Sequence, residues 1–384
     1  MPARVYIGRC SRYDIAEIST CIKQGIEKLG LSDTLATSKH ILLKPNLLLQ
    51  SHVAKGVCTA PEVIAGIVEN LPSSAESIKV GDSPGFGKAT AVMKGLHYPD
   101  VLNPYPVQLV DFDTPVDISY PEGNVFRQFT VDRHIHWADT LINVARIKTH
   151  GHMGLTLAVK NTFGFVVGIR KAQWHMRSGV DPLPFAKMLV ELHYASKPTL
   201  NIVEGISAMQ GDGPQHGDPY PLQLIVMGTD GIAVDRVICE LVGFNAVDIP
   251  IFQAAQLLGH GVPDLNQIEI CGETLEAVQV SDFTKPKRLN PDNFILPAQL
   301  SKYLKKSTTI SPKVNKQRCI QCKVCVNGCP PHAMELNEKG GGVRVNYHTC
   351  IRCYCCHELC PEDAVELKKG WVLRLIHPFV KGMS

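Results

Sequence analysis

No stretch of this sequence approaches the roughly 20 apolar residues that a membrane-crossing helix needs, so no transmembrane segment is expected. The N-terminal stretch from Met1 to Cys10 lacks the apolar run of a secretory signal, and a cytoplasmic location is the expectation. A strong excess of one charge is also absent. The net charge of +3 offers no general argument for a nucleic-acid partner. The G-x-x-x-x-G-K-[ST] phosphate loop is missing. The segment Gly81-Asp82-Ser83-Pro84-Gly85-Phe86-Gly87 falls short of the G-x-G-x-x-G dinucleotide fingerprint, and Pro84 would remove an amide donor from any phosphate cradle. Nothing here argues directly for NAD, FAD or ATP. A second organic cofactor stays unspecified, a flavin in an unfamiliar pocket included.

What is present in excess is cysteine. Of 14 cysteines in 384 residues, Cys10, Cys21, Cys58, Cys239 and Cys271 are scattered, and nine fall between Cys319 and Cys360. A disulfide framework belongs more usually to a small secreted domain. A tight cluster behind a large cysteine-poor region points to metal.

The cluster is a duplication. Cys319, Cys322, Cys325 and Cys329 before Pro330 follow C-x2-C-x2-C-x3-C-P, and so do Cys350, Cys353, Cys356 and Cys360 before Pro361. This is the spacing of bacterial two-cluster ferredoxins. The repeat continues past the cysteines, from Ala333-Met334-Glu335-Leu336 to Ala364-Val365-Glu366-Leu367, so pseudo-twofold symmetry is expected. Three closely spaced thiolates on one loop wrap three corners of a cubane. The fourth starts a short helix and ligates the other cube. Cys319, Cys322, Cys325 and Cys360 are therefore expected to hold one [4Fe-4S] cluster, and Cys350, Cys353, Cys356 and Cys329 a second. Zinc also takes four cysteines, but two complete runs of this spacing favour iron–sulfur cubanes. Cys355 is either an alternative ligand or, more simply, a small buried residue. With no histidine among the ligands, low potentials are expected.

Ahead of the cysteines, short apolar runs alternate with amphipathic segments. Val5–Gly8, Ile41–Lys44, Ile78–Gly81, Val107–Val110, Thr140–Val144, Leu200–Val203 and Leu222–Met227 read as strands. Ile15, Ile18, Ile22, Ile26 and Leu29 keep a helical period, and Pro61–Leu71, Ile232–Val242 and Ile251–Leu258 also read as helices. The expected fold is α/β, a largely parallel sheet with flanking helices, plus a C-terminal α+β ferredoxin-like two-cluster domain. The expected divisions are an α/β domain over 1–282, a basic Pro/Lys-rich linker over 283–317, the ferredoxin-like domain over 318–369 and an apolar tail over 370–384. The linker reads as a solvated connector that could also attract an acidic electron carrier. The tail packs on the ferredoxin unit or a second subunit, which makes a homo-oligomer a possible assembly, with membrane-surface contact the lesser alternative.

Polar residues collect at strand ends, where open α/β sheets bind ligands. Lys44 and Asn46 follow one strand, Asp82 another, and Arg146-Ile147-Lys148-Thr149-His150-Gly151-His152 is expected just after the strand at Thr140. Lys160-Asn161 comes next, after a short helical stretch, with Arg170 and Lys171 beyond. Lys44, Lys148, Lys160 and Arg170 suit an anionic ligand such as a phosphate or carboxylate. His150 and His152 suit proton transfer. Asp82, Asp230 and Asp235 are candidates to bind a cation or orient those bases. The plainer alternatives are a helix N-cap for Asp230, a turn for Asp82, and satisfaction of backbone groups for Asn46. The candidate catalytic set is Lys148, His150 and Lys160. The candidate cofactor-binding set is Lys44, Asn46, Asp82 and Asn161.

Residues 40–262 resemble the domain-of-unknown-function 362 family, often fused to a ferredoxin domain. The resemblance rests on Lys44-Pro45-Asn46, Thr59-Ala60-Pro61-Glu62, Gly81-Asp82-Ser83-Pro84-Gly85, Asn143 with Lys148-Thr149-His150, Lys160-Asn161 with Phe163-Gly164, Gly211-Asp212-Gly213-Pro214 with Gly217, and Asp230 with Ala233-Val234-Asp235. Glu204 stands where the family usually has aspartate. The resemblance implies an iron–sulfur protein of redox metabolism and does not specify a reaction. Three readings follow. The first is a reductase whose clusters pass single electrons from a donor protein to a small anionic substrate or cofactor in the α/β domain. The second is a non-enzymatic carrier or adaptor that docks a partner enzyme. The third is a metal- or cofactor-handling protein. The tether between donor and acceptor favours the first.

Overall fold

This computed structural model describes residues 2–49, 55–85, 87–168, 170, 171, 173, 174, 181–286, 311–337 and 342–368. Most of the expected linker and the whole expected tail lie outside the described residues. The chain divides into two compact units, one formed by residues 1–171 with 181–286, the other by 172–180 with 287–384.

The larger unit is built on strands β1 (Ala3–Arg9), β2 (His40–Pro45), β3 (Ser77–Asp82), β4 (Val107–Asp111), β5 (Pro115–Ser119), β6 (Gln128–Asp132), β7 (Thr140–His150), β8 (Gly154–Thr156), β9 (Leu200–Gln210), β10 (Asp218–Tyr220), β11 (Leu224–Gly228) and β12 (Ile268–Gly272). The main sheet runs β12-β1-β11-β9-β7-β2-β3-β4, with β8 on β7 and β10 on β9, while β5 and β6 form a separate hairpin. From β9 to β4 every neighbouring pair is parallel. Within the path, β11 alone runs against its neighbours. The sheet is therefore mostly parallel, with helices on its faces.

Local chemistry explains several elements. In the helix Ile15–Leu29 the Asp14 carboxylate accepts the Glu17 N–H at 2.9 Å, Ile18, Ile22 and Ile26 face the core, and Gly30 at φ 71° ends it. That φ is costly for a residue with a Cβ. The helix Pro61–Val68 starts on a proline, whose missing N–H has no helical partner to lose there. The Asp230 carboxylate caps Gly231–Leu241 through the Ala233 N–H at 3.0 Å, so its N-cap reading holds.

One strand is longer than its apolar run. All eleven residues of β7 are buried, including Arg146, Lys148, Thr149 and His150. The polar patch expected after this strand lies inside it from Arg146 to His150, with Gly151 and His152 in the turn that follows. The strand has β2 on one side and β9 on the other, so its polar side chains find partners within the protein rather than in water.

The smaller unit contains β13 (Ser311–Val314), β14 (Met334–Leu336), β15 (Val343–Val345) and β16 (Val365–Lys368), with short helices Val324–Asn327 and Cys355–Glu358. Strand β13 pairs with β16 and β14 with β15, both antiparallel. The strand β13 thus begins within the stretch read from sequence as linker. The duplication is visible in the backbone: Gln321, Lys323 and His332 have positive φ, and so do their counterparts Arg352, Tyr354 and Asp363. Asn315 N–H donates to Ala364 O at 2.7 Å, and Asn346 N–H to Ala333 O at 2.7 Å, so each half opens against the other half's post-cysteine loop.

Candidate functional site

Strand β2 leads on to β3, while β7, on the other flank of β2, leads away toward β9. In open α/β sheets such a divergence is where ligands bind, beyond the carboxyl ends of the strands. The end of β2 places Lys44 there, the end of β3 Asp82, and β7 carries Lys148 and His150.

Lys44 and Asp82 form a buried ion pair, Nζ to Oδ1 2.8 Å. The Asp82 carboxylate also accepts the backbone N–H groups of Leu47 at 2.9 Å and Ser83 at 2.8 Å. It therefore holds a turn and a cation at once. Burial lowers the Lys44 ammonium from its ordinary value, with Asp82 opposing. A Cβ at Gly164 would overlap both the Asp82 carboxylate and the Lys44 ammonium, so only glycine lets this backbone cover the pair. Lys44 Nζ also donates to Asn161 Oδ1 at 3.4 Å. A relay of amides continues from there. Asn161 Nδ2 donates to Asn143 Oδ1 at 2.8 Å, and Asn143 Nδ2 to Asn201 Oδ1 at 2.8 Å.

Lys148 Nζ donates to Val57 O at 2.8 Å. Burial pushes it down to about 7, with Lys160 and Arg146 adding to the shift and Cys58 and Asp82 opposing. Lys171 Nζ donates to Ser83 O and, at 3.3 Å, to Pro84 O. Burial pushes it also to about 7, against Asp82 and with Lys44 and Lys160. Arg170 is the sequence candidate for binding an anion; its neighbour Lys171 is the side chain seen bonded just past the end of β3. Its neighbour has the same charge, and no periodic pattern distinguishes them, so no sequence signal could have selected it.

Other candidates have structural duties. The Asp235 carboxylate accepts Ala158 N–H at 2.8 Å and Val159 N–H at 3.1 Å, which anchors the short helix Ala158–Asn161 carrying Lys160 and Asn161. Burial raises Asp235 to about 8. His150 Nδ1 accepts the N–H groups of His152 at 3.1 Å and Met153 at 3.2 Å. In the neutral ring the proton therefore sits on Nε2, and His150 presents a donor. Asn46 Oδ1 is buried with no hydrogen-bond partner among the described residues.

Burial lowers His152 to about 4, with Lys160 adding to it, and His193 to about 3. Unfolded histidine takes its proton near 6.5. Both groups therefore contribute stability that is fully present above about pH 6.5 and is lost as pH falls toward 4. For His193 the slope is about 1.4 kcal/mol per pH unit. Asp235, raised to about 8, contributes the opposite slope over the same range, so the histidine part is read as a difference. Urea denaturation between about pH 7 and pH 5 should show His193→Gln losing less stability on acidification than wild type, and an equal pH dependence in the two would assign the effect elsewhere.

In the smaller unit Cys319, Cys322, Cys325 and Cys360 line one cavity with Val314, Ala364 and Val365. Cys329, Cys350, Cys353 and Cys356 line another with Pro312, Ala333 and Met334. Ala333 N–H donates to Cys329 Sγ at 3.1 Å and Ala364 N–H to Cys360 Sγ at 3.2 Å. Amides aimed at sulfur favour thiolates, and apolar walls around four thiols suit a cubane. Cys355 lines neither cavity.

Fold and sites together define an α/β protein fused to a ferredoxin-type iron–sulfur unit. The chain belongs to the family described as Domain of unknown function (DUF362), which matches residues 41–240. Residues 318–364 match the 4Fe-4S dicluster domain, which makes iron–sulfur electron transfer part of its chemistry. A relative from Synechocystis, the thylakoid-associated protein sll1697, is 31% identical over 301 residues, 78% of this chain and 93% of that protein. Among solved structures, the lactate racemase apoprotein of Thermoanaerobacterium thermosaccharolyticum is 13% identical with a TM-score of 0.38, over 52% of this chain and 50% of that one. A protein from Thermotoga maritima is 12% identical with a TM-score of 0.37, over 88% and 87%. Neither likeness carries a functional argument. No helix among the described residues is long and apolar enough to cross a membrane.

Proposed function

We propose that this chain is an iron–sulfur reductase of a small anionic substrate. The observation that carries the reading is that Lys148 and Lys171 each lie within electrostatic reach of Lys160 and of Asp82, the carboxylate paired with Lys44. Cations gathered in a largely desolvated setting favour an anion. Lys148 and Lys160 bind and polarise it, Asn46 and Asn161 orient it, and Asp82 pairs with Lys44. An amine that titrates near neutral pH both holds and yields a proton, which suits Lys148, and His150 presents a second N–H. Two [4Fe-4S] clusters, held by Cys319, Cys322, Cys325 with Cys360 and by Cys350, Cys353, Cys356 with Cys329, supply single electrons from a donor protein. The crossed lining of the two cavities supports this assignment. The location we infer is cytoplasmic.

The test is anaerobic. Chemically reduced protein is mixed with a panel of carboxylates and phosphates, and cluster re-oxidation and product are followed. A substrate should re-oxidise the wild type. Lys148→Met should keep its iron and sulfide yet react about a hundredfold more slowly. Re-oxidation by proteins alone, whatever anion is offered, would leave the carrier reading in its place. The relative's thylakoid-associated name favours that second reading, in which the larger unit docks a membrane-bound electron-transfer partner.

A further inference from the structure

We infer that an acidic one-electron carrier protein docks on the first cysteine loop, at Ile320–Lys323, and exchanges electrons there with the cluster that Cys319, Cys322, Cys325 and Cys360 hold. The inference goes beyond the reductase reading, because electrons must enter or leave the protein whatever the larger unit does. The duplication supplies an internal comparison. Gln321 and Lys323 stand at φ 57° and 64°, and their counterparts Arg352 and Tyr354 at 57° and 62°, so the two loops have the same backbone conformation at these positions. Their exposure differs. Ile320, Gln321, Cys322 and Lys323 are all exposed, Ile320 at 63%. Ile351, Arg352 and Cys353 are half-buried, and Tyr354 is 2% exposed, packed against Leu367. Electron exchange falls off steeply with distance. The loop that meets solvent therefore brings its own cluster, rather than the second, within reach of a docked protein. One electron crosses at a time: the carrier is oxidised as the cluster is reduced, or the reverse, and no bond forms or breaks and no proton moves.

Charge identifies the partner. From Ser311 to Lys323 the charged residues are Lys313, Lys316, Arg318 and Lys323, all cations and all exposed. The other stretch that closes this cavity, from Cys360 to Lys368, adds Lys368 and the carboxylates Glu362, Asp363 and Glu366. Cations therefore outnumber carboxylates around the first cluster. Asp363 and Glu366 are moreover already paired with Arg318, at 3.0 and 2.9 Å, while Lys323 stands in the loop itself and lines the cavity. In the equivalent stretch of the second half, Gly342–Tyr354, the charged residues are Arg344, paired with Glu335 at 2.7 Å, and the half-buried Arg352. Ile320 supplies an apolar centre beside the basic rim, the arrangement of a protein interface. Interfaces between electron-transfer partners are small, so association is weak, steered by charge and sensitive to salt.

The intact oxidised protein, with its clusters and without oxygen, is offered a plant-type [2Fe–2S] ferredoxin and a flavodoxin, both acidic carriers, and cytochrome c, a basic one. Binding is followed by surface plasmon resonance at about 0.1 M salt, where exposed charges more than roughly 10 Å apart are largely screened. An acidic carrier should bind about tenfold or more tighter than cytochrome c. Lys323→Glu should weaken that binding about five- to tenfold. Ile320→Ser should weaken it by a factor that added salt does not change. Arg352→Glu reverses a charge in the second loop and should leave binding within about twofold of wild type. Iron and sulfide counts check that each variant keeps both clusters. Carbodiimide cross-linking, which joins amines to carboxylates in contact, needs no variant and should yield linked peptides that contain Lys323. No binding of either acidic carrier, cytochrome c binding as tightly, Arg352→Glu weakening binding as much as Lys323→Glu, or cross-links from the larger unit alone would overturn the inference. None of these measurements depends on a substrate being reduced, so failure of the reductase reading would leave this docking surface standing.

Discussion

Cys360→Ala is expected to destroy the same cluster as Cys322→Ala, although Cys360 lies in the other half of the duplication. Cys325 has Cys360, Cys319 and Cys322 as its charged neighbours, whereas Cys329 has Cys353 and Cys350. Each fourth thiol therefore stands among the three of the opposite loop. Either variant, purified anaerobically, should lose about half of its iron. The electron paramagnetic resonance of the reduced remaining cluster should match between Cys360→Ala and Cys322→Ala. It should differ from the matching pair Cys329→Ala and Cys353→Ala. If the Cys360→Ala spectrum coincided with that of Cys353→Ala instead, each cube would be ligated within its own half and the crossing would be wrong.

The largest stability loss is expected from Glu204→Gln. Arg146 and Glu204 have fully buried side chains 3.1 Å apart, and Tyr13 donates to the same carboxylate at 3.2 Å. Arg146 also donates to Cys58 O at 2.5 Å and to Ser207 O at 2.6 Å. A guanidinium cannot shed its proton in a protein. Removing the carboxylate charge therefore leaves a buried cation without a counterion, at a cost of about 3–5 kcal/mol. The converse change, Arg146→Met, should cost less. Burial already raises the Glu204 carboxyl against the pull of Arg146, so it takes up a proton when its partner leaves. The double variant should recover part of the loss, because no charge is then stranded. Urea denaturation of the three variants decides. A loss below about 1 kcal/mol for Glu204→Gln would mean that water or another group reaches Arg146.

The same residues show how far sequence reading extends into this protein. A helix over Ile15–Leu29 is legible because its period, its Asp14 cap and its Gly30 stop are all local. So are the Asp230 cap and the positions of most strands. The patch from Arg146 to His150 was not legible as strand, because charged residues are ordinarily exposed and the partners that allow their burial lie far along the chain. Glu204 serves Arg146, Val57 O serves Lys148, and the Gly213 N–H donates to Thr149 Oγ1. The same distance hid the choice between Arg170 and Lys171, which depends on where the loop after β3 passes.

By itself the sequence determined the cysteine duplication, the α/β class and the identity of Lys44, Lys148 and Lys160 as candidates, since each is written in spacing or in short-range periodicity. Tertiary structure alone decided which thiols share a cavity, that Asp82 answers Lys44, that Asp235 anchors the helix bearing Lys160, and that Lys171 reaches the loop after β3. The reason is physical. Spacing specifies what a segment can do alone, whereas a buried charge is stabilised only by groups that the fold brings to it.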